Sequence, residues 1–184
     1  MIARRFPNGT EFRAVAELRT AEGRKLIGYA AVFNSPARIG GFMETIKPGA
    51  FRASLSRPEA DVLALVDHDV GRLLARTRSG TLRLEEDARG LRFDLDIPDT
   101  QLGHDVLALA QRGDLGGASI GFRPVDEAWP ARDQRELRAL DLVEISIVHA
   151  HPAYAETSVA ARASLSRLNT SPSQRRRRFL DMLG

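Results

Sequence analysis

Two stretches of alternating character constrain the fold most. Thr81-Leu82-Arg83-Leu84-Glu85 and Leu91-Arg92-Phe93-Asp94-Leu95-Asp96-Ile97 both switch between apolar and polar residues at every step. That period of two belongs to a strand with one buried and one wet face, not to a helix. The polar, glycine-ended link Glu86-Asp87-Ala88-Arg89-Gly90 joins them, so the pair is predicted to be an antiparallel hairpin. Such a hairpin must lay its apolar face on a core built by other elements.

More strands are predicted on either side. Glu11 to Leu18 is a mixed apolar run. Lys25 to Phe33 is richer, and Gly28 inside it signals a bulge or bend. Asn34-Ser35-Pro36 marks a turn. Ile46 to Leu55 reads as a turn leading into a short helix that Pro58 ends. Asp61 to Val66 is an apolar strand delivering His68 at its end, and Leu73 to Thr77 leads to a hairpin signal at Ser79-Gly80. Asp99 or Thr100 can cap a helix that runs to about Arg112, where Leu102, Val106, Leu109 and Ala110 recur at helical spacing and Gly113 supplies the stop. Ala118 to Val125 and Leu137 to Val148 are strands, and Trp129 to Glu136 is a loop or hairpin end. A turn follows at His149 to Tyr154, then a helix from Glu156 to Leu168. The expected architecture is α+β: a mostly antiparallel, closed β-barrel flanked by helices, over residues 1–168, with a basic, disordered tail at 169–184.

Composition narrows the chemistry. The 184 residues contain no cysteine, which removes disulfides, thiolate zinc sites and a cysteine nucleophile, and suits a reducing compartment. No apolar run reaches the length of a signal peptide or a bilayer span, so an intracellular protein is expected. The net charge of +3 is concentrated at Arg175 to Arg178, and without those four the remainder is near neutral. The basic balance therefore implies no nucleic-acid partner for the body.

Three residues on separate elements form the parts of a serine nucleophile with its base and orienter. They are Ser119 in Gly116-Gly117-Ala118-Ser119-Ile120-Gly121-Phe122, His68 in Val66-Asp67-His68-Asp69, and Glu144 in Leu142-Val143-Glu144-Ile145-Ser146. Each has a plainer reading. Ser119 could be a turn or buried hydroxyl, and His68 a surface imidazole beside Asp67 and Asp69. Glu144, too apolar in its surroundings to be solvated, could pair with an arginine. Exposed amides near Gly116 to Ile120 could stabilise an oxyanion. His149 and His151 are rival orienters, could share a face as metal ligands, or simply belong to a polar turn. His104 is expected to be exposed. Ser146 shares a strand face with Glu144 and either supports it or packs.

These segments, in this order, resemble the prohead (capsid maturation) proteases of tailed bacteriophages. The resemblance rests on Gly28-Tyr29-Ala30-Ala31-Val32-Phe33-Asn34, Ile46-Lys47-Pro48-Gly49-Ala50-Phe51, Asp67-His68-Asp69, Gly80-Thr81-Leu82-Arg83-Leu84, Gly90-Leu91 and Arg112-Gly113-Asp114-Leu115. It extends through Ala118-Ser119-Ile120-Gly121-Phe122, Glu144-Ile145-Ser146-Ile147-Val148 and Pro152-Ala153-Tyr154. It implies a serine endopeptidase related in fold to the herpesvirus assemblins. His68, Ser119 and Glu144 would be its catalytic residues, although the herpesvirus relatives use a second histidine as third member. It also implies a substrate, the capsid protein precursor or a scaffold, together with cleavage of the enzyme itself. The setting would be the immature capsid in the bacterial host cytoplasm. No cofactor, metal or membrane is expected, and a homo-oligomer is.

Two other classes stay open: a non-catalytic capsid assembly or scaffold protein, and a metal-dependent hydrolase built on the four histidines. The run from Arg175 to Arg178, followed by Phe179, Leu180, Met182 and Leu183, admits three readings. It is a solvated tail, a docking peptide for scaffold, capsid protein or nucleic acid, or a segment removed by self-cleavage.

Overall fold

A computed structural model describes residues 9–15 and 18–149. The expected turn from 150 onward, the helix at 156–168 and the basic tail lie outside the described residues, as does His151. The described residues form strands β1 (Glu11–Val15), β2 (Leu18–Ala21), β3 (Lys25–Val32), β4 (Ala37–Ile39) and β5 (Phe42–Ile46), helix α1 (Arg52–Leu55), strands β6 (Leu63–Val66), β7 (Asp69–Arg76), β8 (Leu82–Glu86) and β9 (Gly90–Asp96), helix α2 (Gln101–Arg112), and strands β10 (Gly117–Ala131) and β11 (Gln134–Val148). The fold is α+β.

The alternating segments pair as predicted: β8 lies antiparallel to β9, with Leu84 opposite Phe93 and Leu82 opposite Leu95. Strands β3 and β2 extend this to a four-stranded sheet in the order β2-β3-β9-β8. Its irregularity falls between Tyr29 and Ala31 rather than at Gly28, which pairs regularly with Phe93. The extra residue is Ala30, almost wholly buried. Helix α2 begins where predicted: Thr100 accepts a hydrogen bond from the Gly103 amide (3.2 Å), and Gly113 closes the helix in the left-handed region at φ 74°.

The second sheet has seven strands and is organised around β11. One edge of β11 pairs antiparallel with β10, which in turn pairs with β1. The other edge is shared, β5 lying parallel to residues 134–137 and β6 parallel to 144–147. Helix α1 and its approach fill the gap between them. The Leu140 amide donates to Ala50 O (2.8 Å) and the Leu142 amide to Ser54 Oγ (2.9 Å), so the main chain of β11 stays bonded where no strand flanks it. Glu86 on the other sheet takes the Gly49 and Phe51 amides (2.7 and 3.0 Å) and ties this bridge across the core.

Leu26, Leu82, Leu91, Phe93 and Leu95 from the first sheet meet Ala118, Ile120, Phe122, Leu137, Ile145 and Ile147 from the second in one buried cluster. Several expectations change here. The closed barrel is not found among the described pairings, which form two separate sheets with edges. Ser79-Gly80 is not a hairpin turn, because β7 takes β6 as partner and β8 takes β9, so this turn carries the chain from one sheet to the other. Trp129 to Glu136 is a hairpin end, yet only 132 and 133 lie outside strands. Beyond Phe122, where its pairing to β1 ends, β10 can carry Pro124 and Pro130, since its outer edge there needs no ladder donors.

Candidate active site

The site face of the seven-stranded sheet is set by register. Ser119 stands opposite Ser146 and Gly121 opposite Glu144 across β10 and β11, while Ala14 and Phe12 of β1 stand opposite Ser119 and Gly121. Directly opposed residues, and residues two apart, share a face. Ala118, Ile120, Ile145 and Ile147 therefore point into the core, and Ser119, Gly121, Glu144 and Ser146 point away from it. Leu65 and Val148 belong to this second face as well. Both are buried, but neither is part of the main cluster.

His68 reaches this face from the link between β6 and β7. Val66 pairs with Asp69, leaving Asp67 and His68 as a two-residue hairpin loop. Both have positive φ, 50° and 60°, as a type I′ turn requires and as non-glycine residues seldom adopt. The turn is bonded to β11 at both residues. The Asp67 amide donates to Ile147 O (3.0 Å) and the His68 amide to Ser146 Oγ (3.1 Å). Beyond β11, His149 adds its amide and its Nδ1 to the two carboxylate oxygens of Asp67 (3.0 and 2.6 Å), and Arg72 adds its Nη1 (3.1 Å). Burial pushes the Asp67 carboxyl up, but the His149 hydrogen bonds and the Arg72 charge outweigh it and hold the group below the usual aspartate range.

Held in this way, His68 places Nδ1 2.7 Å from Glu144 Oε1. Glu144 is fully buried, and its other oxygen, Oε2, accepts the Ser146 hydroxyl at 2.6 Å. The carboxylate is thus paired with an imidazole, not an arginine. A carboxylate on Nδ1 favours the tautomer with the proton there and leaves Nε2 unprotonated. The ring also packs on Phe12, with centroids 4.3 Å apart at 57°. Gly121 makes room for this arrangement. A Cβ there would lie 2.4 Å from Glu144 Oε1 and 2.9 Å from Phe12 Cε1. The register shift just after the Gly121–Glu144 pair leaves Val143 as an extra residue, the kind of bulge that re-aims a strand beside a site.

Ser119 is 2% exposed, and its hydroxyl donates to the main-chain carbonyl of Arg13 at 2.9 Å. It lies one row along the sheet from the Gly121–Glu144 row, about 7 Å in strand rise. Its own strand is paired on both sides from Ala118 to Phe122, and the Gly116 amide donates to Val148 O (2.7 Å). The amides of this stretch are therefore mostly engaged, contrary to the expectation of an exposed set.

Of the other histidines, His149 joins the Asp67 side of the turn rather than the Nδ1 of His68, and His104 on α2 pairs with Asp99, which precedes the helix (2.7 Å). Among the described residues no group of three or more His, Asp or Glu is placed to hold a metal. No helix of the described residues is long and apolar enough to cross a membrane. Phe12, Asp67 and the steric role of Gly121 were not anticipated. The sequence carries no signal of the two positive φ values, because the strand expected from Leu73 in fact begins at Asp69 and only then is the link two residues long.

No curated protein and no solved structure matched the chain. The family model of the caudovirus prohead serine proteases matches residues 11–171, a span that includes every residue of the site, and the chain belongs to that family.

Proposed function

We propose that the chain is a serine endopeptidase of capsid maturation in which Ser119 is the nucleophile, His68 the general base and acid, and Glu144 the group that orients His68. The observation that carries this reading is the 2.7 Å contact between His68 Nδ1 and the buried Glu144 carboxylate, on the face that also bears Ser119. With Nδ1 holding its proton, Nε2 of His68 is the atom that takes the Ser119 proton. The Ser119 oxygen adds to the scissile carbonyl, and the imidazolium then protonates the leaving amine. Glu144 stabilises the positive ring without taking its proton. Water, deprotonated by His68, releases the acyl group. Attack requires the Ser119 hydroxyl to leave Arg13 O, a side-chain rotation about χ1, and the groups that cover it to part. Free enzymes commonly hold such hydrogen bonds loosely before substrate binds.

Family membership supports the capsid protein precursor or its scaffold as the substrate, with cleavage of the enzyme itself, inside the immature capsid in the host cytoplasm. The test is processing of a co-expressed capsid precursor. Ser119→Ala should abolish it, and a fluorophosphonate should label the unmodified chain at Ser119. Continued processing by the alanine variant, or loss of processing to a chelator but not to the phosphonate, would overturn the serine mechanism.

A further inference from the structure

We propose that Ser146 is a positioning residue that fixes the His68–Glu144 pair in the orientation and tautomer Ser119 needs. The inference rests on the catalytic reading above and deepens it.

A serine hydroxyl has one proton to donate and two lone pairs. At Ser146 the proton goes to Glu144 Oε2 (2.6 Å), and a lone pair receives the His68 main-chain amide (3.1 Å). One buried oxygen therefore touches both partners of the 2.7 Å contact, the carboxylate by its far oxygen and the histidine by its backbone. Both bonds restrict freedoms the pair would otherwise keep. The first stops the carboxylate rotating about its terminal bond, so Oε1 stays directed at Nδ1. The second fixes the height of a turn whose two residues sit at positive φ and resist that conformation. Among the described residues, the Ser146 hydroxyl is the donor that Glu144 Oε2 receives. Removing the hydroxyl would leave a buried carboxylate oxygen and a turn amide without partners, and both would seek others by moving. Ser146 stands across the ladder from Ser119, yet it is fully buried and its hydroxyl is already engaged. It acts on the nucleophile through His68 and Glu144.

The test reads the pair with and without chemistry. In protein labelled with ¹⁵N-histidine, the Nδ1 proton of His68 should give a far-downfield resonance, assigned by its loss in Glu144→Ala and its survival in His149→Ala. Ser146→Ala should move that resonance upfield and hasten its exchange, and should slow fluorophosphonate labelling of Ser119 by 10- to 100-fold. Ser146→Thr, which keeps the hydroxyl, should restore most of both. If Ser146→Ala does not fold, Ser146→Cys, close in size but a weak donor, carries the comparison and should lose the resonance where Thr keeps it. An unchanged resonance and labelling rate in folded Ser146→Ala or Ser146→Cys would overturn the proposal. So would equal losses of labelling in the Ala and Thr variants with the resonance unmoved. The resonance needs no turnover, so it still reports on Ser146 if Ser119→Ala shows that Ser119 is not the nucleophile.

Discussion

Gly121 and Glu144 face each other across the β10–β11 ladder so closely that a methyl group on residue 121 would lie 2.4 Å from the Glu144 carboxylate oxygen that meets His68. No relaxed Cβ contact is that short. The carboxylate is also enclosed, with Ser146 on its second oxygen and Phe12 beside it. Gly121→Ala should therefore displace Glu144 or Phe12. Crowding of this kind costs about 1–3 kcal/mol, to be read as a lowered urea midpoint. Processing should fall by at least about tenfold, since a shift of about 1 Å at a site can cost 10²-fold. Activity within twofold of the unsubstituted chain would mean that the carboxylate can yield without consequence.

Glu144 and His149, the candidates for the third member that lie among the described residues, separate by substitution. Glu144→Gln keeps the size of the side chain and a hydrogen bond to Nδ1, but it permits the wrong tautomer of His68. The corresponding change in other serine hydrolases lowers turnover by about 10⁴-fold, and a loss of that order is expected here. His149→Ala removes the Nδ1 bond to Asp67 but keeps the residue 149 amide and Arg72 on that carboxylate, and it leaves the His68–Glu144 contact in place. It should cost less than about tenfold. The reverse ranking in a precursor-processing assay would transfer the orienting role to His149.

The sequence carried the parts of this site further than their arrangement. Glu144 could be read because a carboxylate in Leu142-Val143-Glu144-Ile145 has no solvent to face, and His68 because an apolar strand ends just before it. Phe12 could not be read, because its place beside His68 depends on the register of β1 on β10, more than 100 residues away in the chain. A slip of one residue would turn Phe12 to the opposite face. Asp67 reads in the sequence only as a carboxylate beside His68, whereas its oxygens turn to His149 and Arg72 and anchor the turn. The hairpin of β8 and β9 was legible from alternation alone. The turn at Ser79-Gly80 was not, because turn residues say that the chain reverses and not which sheet it enters.

Acid should weaken the fold through specific pairs. Asp61 is held below the usual aspartate value by the Arg76 guanidinium. At Asp141 burial pushes the carboxyl up, but Arg57 and Arg123 outweigh it and hold it low. A group whose folded value is depressed adds stability above its unfolded value, 3.8 for aspartate, and loses that stability as pH falls through the lower folded value. The urea midpoint should thus hold between pH 7 and 5 and decline below about pH 4. Asp61→Asn and Asp141→Asn should lower the midpoint at pH 7, each by roughly 1 kcal/mol or less, and flatten the acid decline. A decline equally steep in the double variant would assign it to other groups.

Glu44 offers the sharpest stability test, because it is 3% exposed and receives two guanidinium groups. Arg13 donates to both of its oxygens (2.5 and 2.8 Å), and Arg135 donates to Oε2 (2.9 Å). Arg135 is itself buried. Its burial favours the neutral form, but Glu11, Glu127 and Glu44 more than compensate, so it stays charged. The network joins β1, β5, β10 and β11, the strands that set the register of the site face. Glu44→Gln keeps the shape but removes the charge, leaving the buried Arg135 and the partly buried Arg13 with less counter-charge than they need. Breaking one partner of a buried pair costs about 3–5 kcal/mol, and Glu11 nearby should reduce this to about 2–3 kcal/mol. Arg13 also supplies the carbonyl that holds the Ser119 hydroxyl. A loosened β1 should therefore change fluorophosphonate labelling of Ser119 along with stability. A urea midpoint shifted by less than the equivalent of about 0.5 kcal/mol would show that the arginines are satisfied without Glu44, and that the register of β1 rests on its ladder alone.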